Sequence, residues 1–297
     1  MSPREPWVMA VQPATTSADE RAQIAHSLES RISEQGDWIL LSTCHRVELY
    51  GFGAVPDLDT RLQVANGEEA VRHLIRVAAG LESTITGEDE VLHQVRDALR
   101  LARESRALDR RLQRLFETAI AAGRRARAGR TASSGNLAQQ AVAWLEQRAT
   151  LAGQTVLIVG AGRMGSSLAR AARNVGAELT VASRDAARAH RLAQVYGGRG
   201  IDLAGGAKLA PNSVAVAVAL AGPWLELQPP PGDLPPIADI SAPSAVPAAV
   251  RTRLDGGFLG IDDLYVRTKP VPGGYIDEAL RIVATKTREY VRWLGSR

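Results

Sequence analysis

"QTVLIVGAGRMGSSLARAARNVGAELTVASRD", residues 154–185, is the stretch on which the fold turns. Val156 to Val159 form a short apolar run that reads as a buried strand. It leads into Gly160-x-Gly162-x-x-Gly165, a helical stretch follows, and Leu179 to Ala182 reads as a second strand. Glycines at this spacing between a strand and a helix are the pattern of a dinucleotide-binding βαβ unit. Gly160 permits the tight turn, Gly162 lets the backbone approach a pyrophosphate, and Gly165 lets the helix pack closely. The helix opens with Arg163 and Met164, and its N-terminal amides face the phosphates. An NAD site would normally carry an acid at the end of the second strand, whereas this chain has Ser183-Arg184. A hydroxyl and a guanidinium suit a 2′-phosphate, so the expected cofactor is NADPH, with Asp185 one residue beyond keeping NAD as the alternative. Further strands are expected at 213–219, 237–241 and 257–261.

Upstream the pattern is different. "WVMAV" (7–11), "WILLS" (38–42) and "VELYGF" (47–52) read as strands, with a helix over 18–33 between the first two. From Gly67 onward apolar residues recur every three or four positions through 68–81, 88–105 and 108–128, predicting three consecutive helices. A further helix over 133–149, with Ser133 and Asn136 as candidate N-caps, leads into the nucleotide-binding region. The Pro-rich run 227–236 reads as a stiff loop, and 273–297 as one helix with Ile276, Leu280, Val283, Tyr290 and Trp293 on its apolar stripe. The fold class expected is therefore α/β, in three parts. An α+β catalytic and substrate-binding domain spans 1–135, a Rossmann-type NADP domain 136–265, and a terminal helix 266–297.

Bulk properties narrow the function classes. A chain of 297 residues with 45% hydrophobic content can build the core of two domains. One cysteine excludes an internal disulfide, no secretory leader is recognisable, and no apolar run is long enough to cross a bilayer. A cytoplasmic protein with no membrane partner and no metal is expected. The net charge of +4 is unevenly spread, since residues 96–130 carry 11 arginines against the acids Asp97, Glu104, Asp109 and Glu117. On charge alone this reads as a solvated helical face, the alternative being a surface for a nucleic-acid backbone.

The lone cysteine, Cys44, sits in "ILLSTCHRVELYGF" (39–52) at a strand end beside His45 and Arg46. Such a cysteine is usually a small buried hydrophobe, but two neighbouring cations favour the thiolate. A thiol in a chain with a nicotinamide site suggests thioester chemistry, because a thioester accepts hydride more readily than an ester or an acid.

"LSTCHRVELYG" resembles the signature of glutamyl-tRNA reductases, and 71–102, "VRHLIRVAAGLESTITGEDEVLHQVRDALRLA", is similar to their second signature. "GQTVLIVGAGRMG" and "DISAPSAV" fall where that family has its nucleotide domain and a late strand-loop. The resemblance runs from about Trp7 to Trp293. It implies that Cys44 attacks glutamyl-tRNA, that NADPH reduces the thioester to glutamate-1-semialdehyde, and that this begins tetrapyrrole synthesis. It further implies that Thr43, Arg46, Ser83, Glu88 and Gln94 line the glutamate pocket, with Arg46 facing a substrate carboxylate. His73 is implied as a general acid or base. Glutamyl-tRNA is the implied partner, and the aminomutase of the next step is a further candidate.

This chain departs from the family at Gln12-Pro13-Ala14-Thr15, where a His-Lys-Thr-Ala-like turn is usual, and at His45, where Asn is usual. It also stops where the family continues into a dimerisation domain, so a shortened member is expected. Its last helix should pack back onto the chain's own domains, giving a monomer or a non-standard dimer. Two alternatives stay open: a reductase of another aminoacyl-tRNA or acyl thioester, and a non-catalytic tRNA- or tetrapyrrole-pathway binding protein.

Overall fold

Alternation along the first strands makes a sheet that is covered on both faces. In the computed structural model, described for residues 5–11, 16–31, 37–43, 46–58, 61–82, 89–105, 107–128, 137–229, 232–266 and 273–296, the order is β1 (Pro6–Ala10), α1 (Ala18–Arg31), β2 (Trp38–Ser42), β3 (Val47–Phe52), β4 (Gln63–Asn66), α2 (Gly67–Ala78), α3 (Asp89–Ser105), α4 (Arg110–Ala128) and α5 (Leu137–Glu146). There follow β5 (Thr155–Val159), α6 (Arg163–Asn174), β6 (Glu178–Ser183), α7 (Ala186–Val195), β7 (Arg199–Asp202), α8 (Leu203–Leu209), β8 (Ala215–Val218), β9 (Ile237–Asp239), α9 (Ala248–Arg251), β10 (Phe258–Gly260), α10 (Ile261–Val266) and α11 (Gly273–Gly295). Two compact units result, one from Met1–Ser134 with Thr268–Arg297 and one from Gly135–Arg267. No helix among the described residues is long and apolar enough to cross a membrane.

In the first unit the strands form an antiparallel sheet in the order β2-β3-β1-β4. Trp7, Met9, Val47 and Leu49 point to one face, where they pack with Ile24, Ala25 and Leu28 of α1. Val8, Ile39, Leu41 and Tyr50 point to the other, into a core shared with α2, α3 and α4. Successive residues of a strand point to opposite faces, so the polar residues Arg46, Glu48 and Tyr50, spaced by two, share the face toward those three helices.

The helix α11 also belongs to this core. Ala279, Ile282, Val283 and Tyr290 are buried in it, Tyr275 Oη donates to the Ala79 carbonyl at 2.6 Å, and Tyr290 Oη donates to the Arg111 carbonyl at 2.8 Å. The helix is where the sequence puts it, but its stripe is rotated from the expected one. Leu280 is 40% exposed and Thr287 is buried. The small Ala279 allows close approach where a larger side chain would hold the helices apart.

The second unit is a six-stranded parallel sheet in the order β10-β9-β8-β5-β6-β7. Its central strands β5, β8 and β9 are buried almost throughout, and all but Asp239 at the end of β9 and Thr155 at the start of β5 are apolar, as a parallel sheet with helices on both faces requires. The chain leaves β5 for β6 and β7 and then returns to β8 on the other side of β5. The reversal opens a crevice at the carboxyl ends of β5 and β8, the position at which such sheets bind dinucleotides.

Candidate functional site

In the first unit, Arg46, Glu48, Tyr50 and His73 form a buried polar cluster. Glu48 is its centre and is 2% exposed. Its Oε1 accepts from Arg46 Nη1 at 3.1 Å and pairs with His73 Nε2 at 3.0 Å, while Oε2 accepts from Tyr50 Oη at 2.6 Å. Strand β3 supplies Glu48 and Tyr50, Arg46 lies one residue before the strand, and α2 presents His73 across from them. Tyr50 is held in turn by an edge-to-face contact with Phe116 of α4, with ring centroids 5.3 Å apart.

Burial opposes the charge on Glu48, but the His73 and Arg46 cations, with hydrogen bonds from His73 and Tyr50, outweigh it and hold the carboxyl down at about 2. For His73, burial disfavours the proton; the Glu48 carboxylate more than offsets this and raises the imidazole above its ordinary value. Burial, and then the Glu48 charge, push the Tyr50 phenol well above its ordinary value. The cluster is therefore a buried carboxylate flanked by a guanidinium and an imidazole that leans toward its protonated form.

Cys44 and His45 lie outside the described residues, as do Ser83, Glu88, the turn Gln12-Pro13-Ala14-Thr15 and the candidate caps Ser133 and Asn136. The residues flanking the thiol in sequence are tied together: Thr43 N donates to the Arg46 carbonyl at 2.8 Å, and Arg46 N donates to Thr43 Oγ1 at 3.1 Å. Arg46 is not a surface residue; its Nη2 donates to the Glu82 carbonyl and its Nη1 to Glu48. A substrate carboxylate would have to share this guanidinium with two internal acceptors. Gln94 of α3 lines a cleft of about 580 Å³ with Trp38, Leu40, Leu41 and Ser42 of β2. Glu48 is the residue that sequence reading passed over. A carboxylate two residues from Arg46 and two from Tyr50, inside an otherwise apolar strand, was the available signal.

In the second unit the glycines meet their expected demands. Gly160 has φ +116°, and a Cβ there would lie 2.1 Å from the Ala219 carbonyl oxygen. A Cβ on Gly165 would lie 1.9 Å from the Gly160 carbonyl oxygen. Around Gly162, at the N-terminus of α6, the space is open, so a pyrophosphate can approach the backbone; Arg163 is exposed beside it and Met164 half-buried. Ser183 ends β6 and is buried, while Arg184 is exposed, with its Nη1 about one contact distance, 4.0 Å, from a Cβ built on Gly222. Asp185 accepts from Arg188 N at 3.0 Å as the N-cap of α7. That carboxylate caps a helix, and Ser183 and Arg184 stand before it at the strand end.

The far side of the crevice is held by Asp239, which is 1% exposed. Its carboxylate accepts from Ser241 N at 2.9 Å, Ser244 Oγ at 2.7 Å, Ala245 N at 2.8 Å and Val246 N at 3.0 Å. Ser241 Oγ then accepts from Leu220 N at 2.9 Å, which joins the loops after β8 and β9. The residues present fit a nicotinamide dinucleotide.

Residues 8–129 match the model of the glutamyl-tRNA(Glu) reductase N-terminal domain, and residues 137–219 that of shikimate/quinate 5-dehydrogenase. The glutamyl-tRNA reductase of Rubrobacter xylanophilus is 35% identical over 298 residues, covering 86% of this chain and 68% of that protein. The chain belongs to the glutamyl-tRNA reductase family. The Thermus thermophilus reductase is 31% identical, covering 90% of this chain and 74% of its own. Among solved structures, the reductase from Methanopyrus kandleri aligns over 99% of this chain and 80% of its own, with 27% identity and a TM-score of 0.46. As a member of this family the protein is an oxidoreductase, with a second unit of dehydrogenase type for a nicotinamide cofactor.

Proposed function

We propose that this protein reduces glutamyl-tRNA to glutamate-1-semialdehyde, the first step of tetrapyrrole synthesis, through a thioester on Cys44 and with NADPH as the reductant. The observation that carries this reading is the buried cluster whose Arg46 and Glu48 lie two and four residues after Cys44, a charged Glu48 holding Arg46 on one side and His73 of α2 on the other. The Cys44 thiolate attacks the ester carbonyl of the aminoacyl end, the bond to the tRNA 3′ oxygen breaks, and glutamate stays on sulfur as a thioester. The leaving oxygen needs a proton. His73, kept above its ordinary pKa beside Glu48, is the group suited to give it. Arg46 and Gln94 orient the glutamyl group, with Ser83 and Glu88 as further pocket residues. NADPH, when bound, supplies the hydride that turns the thioester into an aldehyde and frees the thiolate. Gly160 and Gly165 shape the turn that brings the backbone at Gly162 to the pyrophosphate, and Ser183 with Arg184 takes the 2′-phosphate.

Replacement of Cys44 by Ser tests the reading. C44S should lose reduction of glutamyl-tRNA while binding NADPH as before, and radiolabelled glutamate should attach covalently to the unaltered protein only. Near-normal turnover by C44S would exclude thioester catalysis. Consumption of free glutamate in place of glutamyl-tRNA would exclude the substrate.

A further inference from the structure

We propose that the groove between α3 and α4 is a phosphate-backbone surface that holds the body of the tRNA whose aminoacyl end is the substrate; this rests on the function proposed above. The groove, of about 490 Å³, is lined by Arg96, Arg100, Arg103 and Arg124, by Glu104 and Glu117, and by an apolar floor that includes Leu99 and Ile120.

The arginines of these two helices separate into two classes. Arg100 pairs with Asp97 at 3.6 Å and with Glu104 at 3.0 Å, Arg103 pairs with Glu117, and Arg111 pairs with Asp109. Arg114 stacks on Trp293, and Arg127 donates to the carbonyls of Ala78 and Gly123. Those side chains serve the fold or satisfy a neighbouring acid. Arg96, Arg110, Arg124 and Arg125 do neither, and of these four Arg96 and Arg124 lie in the groove. Both are exposed, and neither has an ion pair or hydrogen bond among the described residues, yet they line the same groove from opposite helices. The two glutamates there are already neutralised by Arg100 and Arg103, so two guanidinium charges remain uncompensated over an apolar floor, where an anion is held more strongly than in open water.

Position adds the second argument. Residues 94, 97, 98 and 101 of α3 face the cleft beside β2, while residues 96, 99, 100 and 103 face the groove on its opposite flank. One helix therefore separates the cleft next to Ser42, two residues before Cys44, from the cationic groove. Arg96 to Arg103 spans about 10 Å of that helix. An RNA whose 3′ end enters the cleft would lay its following phosphates across α3 and into the groove. Guanidinium groups bind such phosphates without reading sequence.

Binding of fluorescently labelled tRNA to the full chain, followed by anisotropy across a salt series, tests the proposal. The double variant R96Q/R124Q should bind tRNA roughly tenfold more weakly at 0.1 M salt, and the slope of log K against log salt should fall by about two contacts. Acylated and uncharged tRNA should lose affinity by the same factor, and NADPH affinity should not change. R100Q, which removes an already paired charge, should change the slope by less than half as much. An unchanged slope in the double variant, in a protein whose unaltered form reduces glutamyl-tRNA, would overturn this surface alone. Failure of the unaltered protein to bind or reduce any tRNA would overturn the functional reading and this one with it.

Discussion

The two candidate sites are built from different materials. The nucleotide crevice is made of backbone: glycines without side chains, a helix N-terminus, and loops stitched by main-chain amides to Asp239. The cluster after Cys44 is made of side chains from separate elements, with a buried carboxylate whose charge is held by His73 and Arg46 and by the hydrogen bond from Tyr50. A backbone site costs little to keep open and fails when a side chain intrudes. A buried ionic site is costly to assemble and fails when one partner is removed.

The largest effect should therefore come from Glu48. E48A should destabilise the first unit by about 3–5 kcal/mol, since it leaves a guanidinium and an imidazole buried without their counter-charge. Urea unfolding followed by the signal of each unit should show the loss in the first and not in the second. Stability equal to that of the unaltered protein would mean that the cluster is not ionic. Its pH dependence has a definite sign. Glu48 titrates near 2 in the folded protein and near 4.5 when unfolded, so its contribution is present above about 4.5 and disappears as the pH falls toward 2. His73, raised above 6.5, contributes fully below that value and loses its contribution as the pH rises through its folded pKa. The cluster should be most stabilising between those limits, and E48Q should flatten the acid limb of the profile.

On the backbone side, G160A should weaken NADPH binding by about 3 kcal/mol, because a Cβ at φ +116° adds strain to a clash with the Ala219 carbonyl. Calorimetric titration with NADPH measures it, and unchanged affinity would mean that the loop is not the cofactor cradle. R184A should be milder. Loss of one exposed charge-assisted contact should cut the preference for NADPH over NADH by about 1.5 kcal/mol, roughly tenfold. Equal affinity for both cofactors in the unaltered protein would return the site to NAD. The smallest change belongs to α11, where L280Q should alter thermal stability by less than about 0.5 kcal/mol because the side chain faces solvent. A larger loss would restore the stripe expected from sequence.

What could be read in the sequence follows the same division. The strand at 155–159 and the glycines after it are consecutive in the chain, and their spacing alone specifies the turn. The long helices were legible because their apolar residues repeat on one face. Two strands were not. β4 has Val64 46% exposed, and β7 begins Arg199-Gly200. Both are four-residue edge strands held by backbone pairing, with no apolar alternation to announce them. The pocket residues came from a resemblance, which names positions without showing what they touch. The resemblance puts Arg46 beside a substrate carboxylate and says nothing of Glu48, which also holds it, a contact that exists only once β3 is extended and α2 is packed against it.

The return of α11 to the first unit has a consequence for how the protein is made. Gly135–Arg267 is a single uninterrupted segment whose sheet and covering helices are all present once that segment has been synthesised. The first unit is split in sequence, and Ala279, Ile282, Val283 and Tyr290 of its core are translated only after the second unit is complete. On the ribosome the order of completion is thus the reverse of the order of synthesis: the sheet that begins the chain waits, with the α2–α4 face open, for a helix encoded more than a hundred residues later.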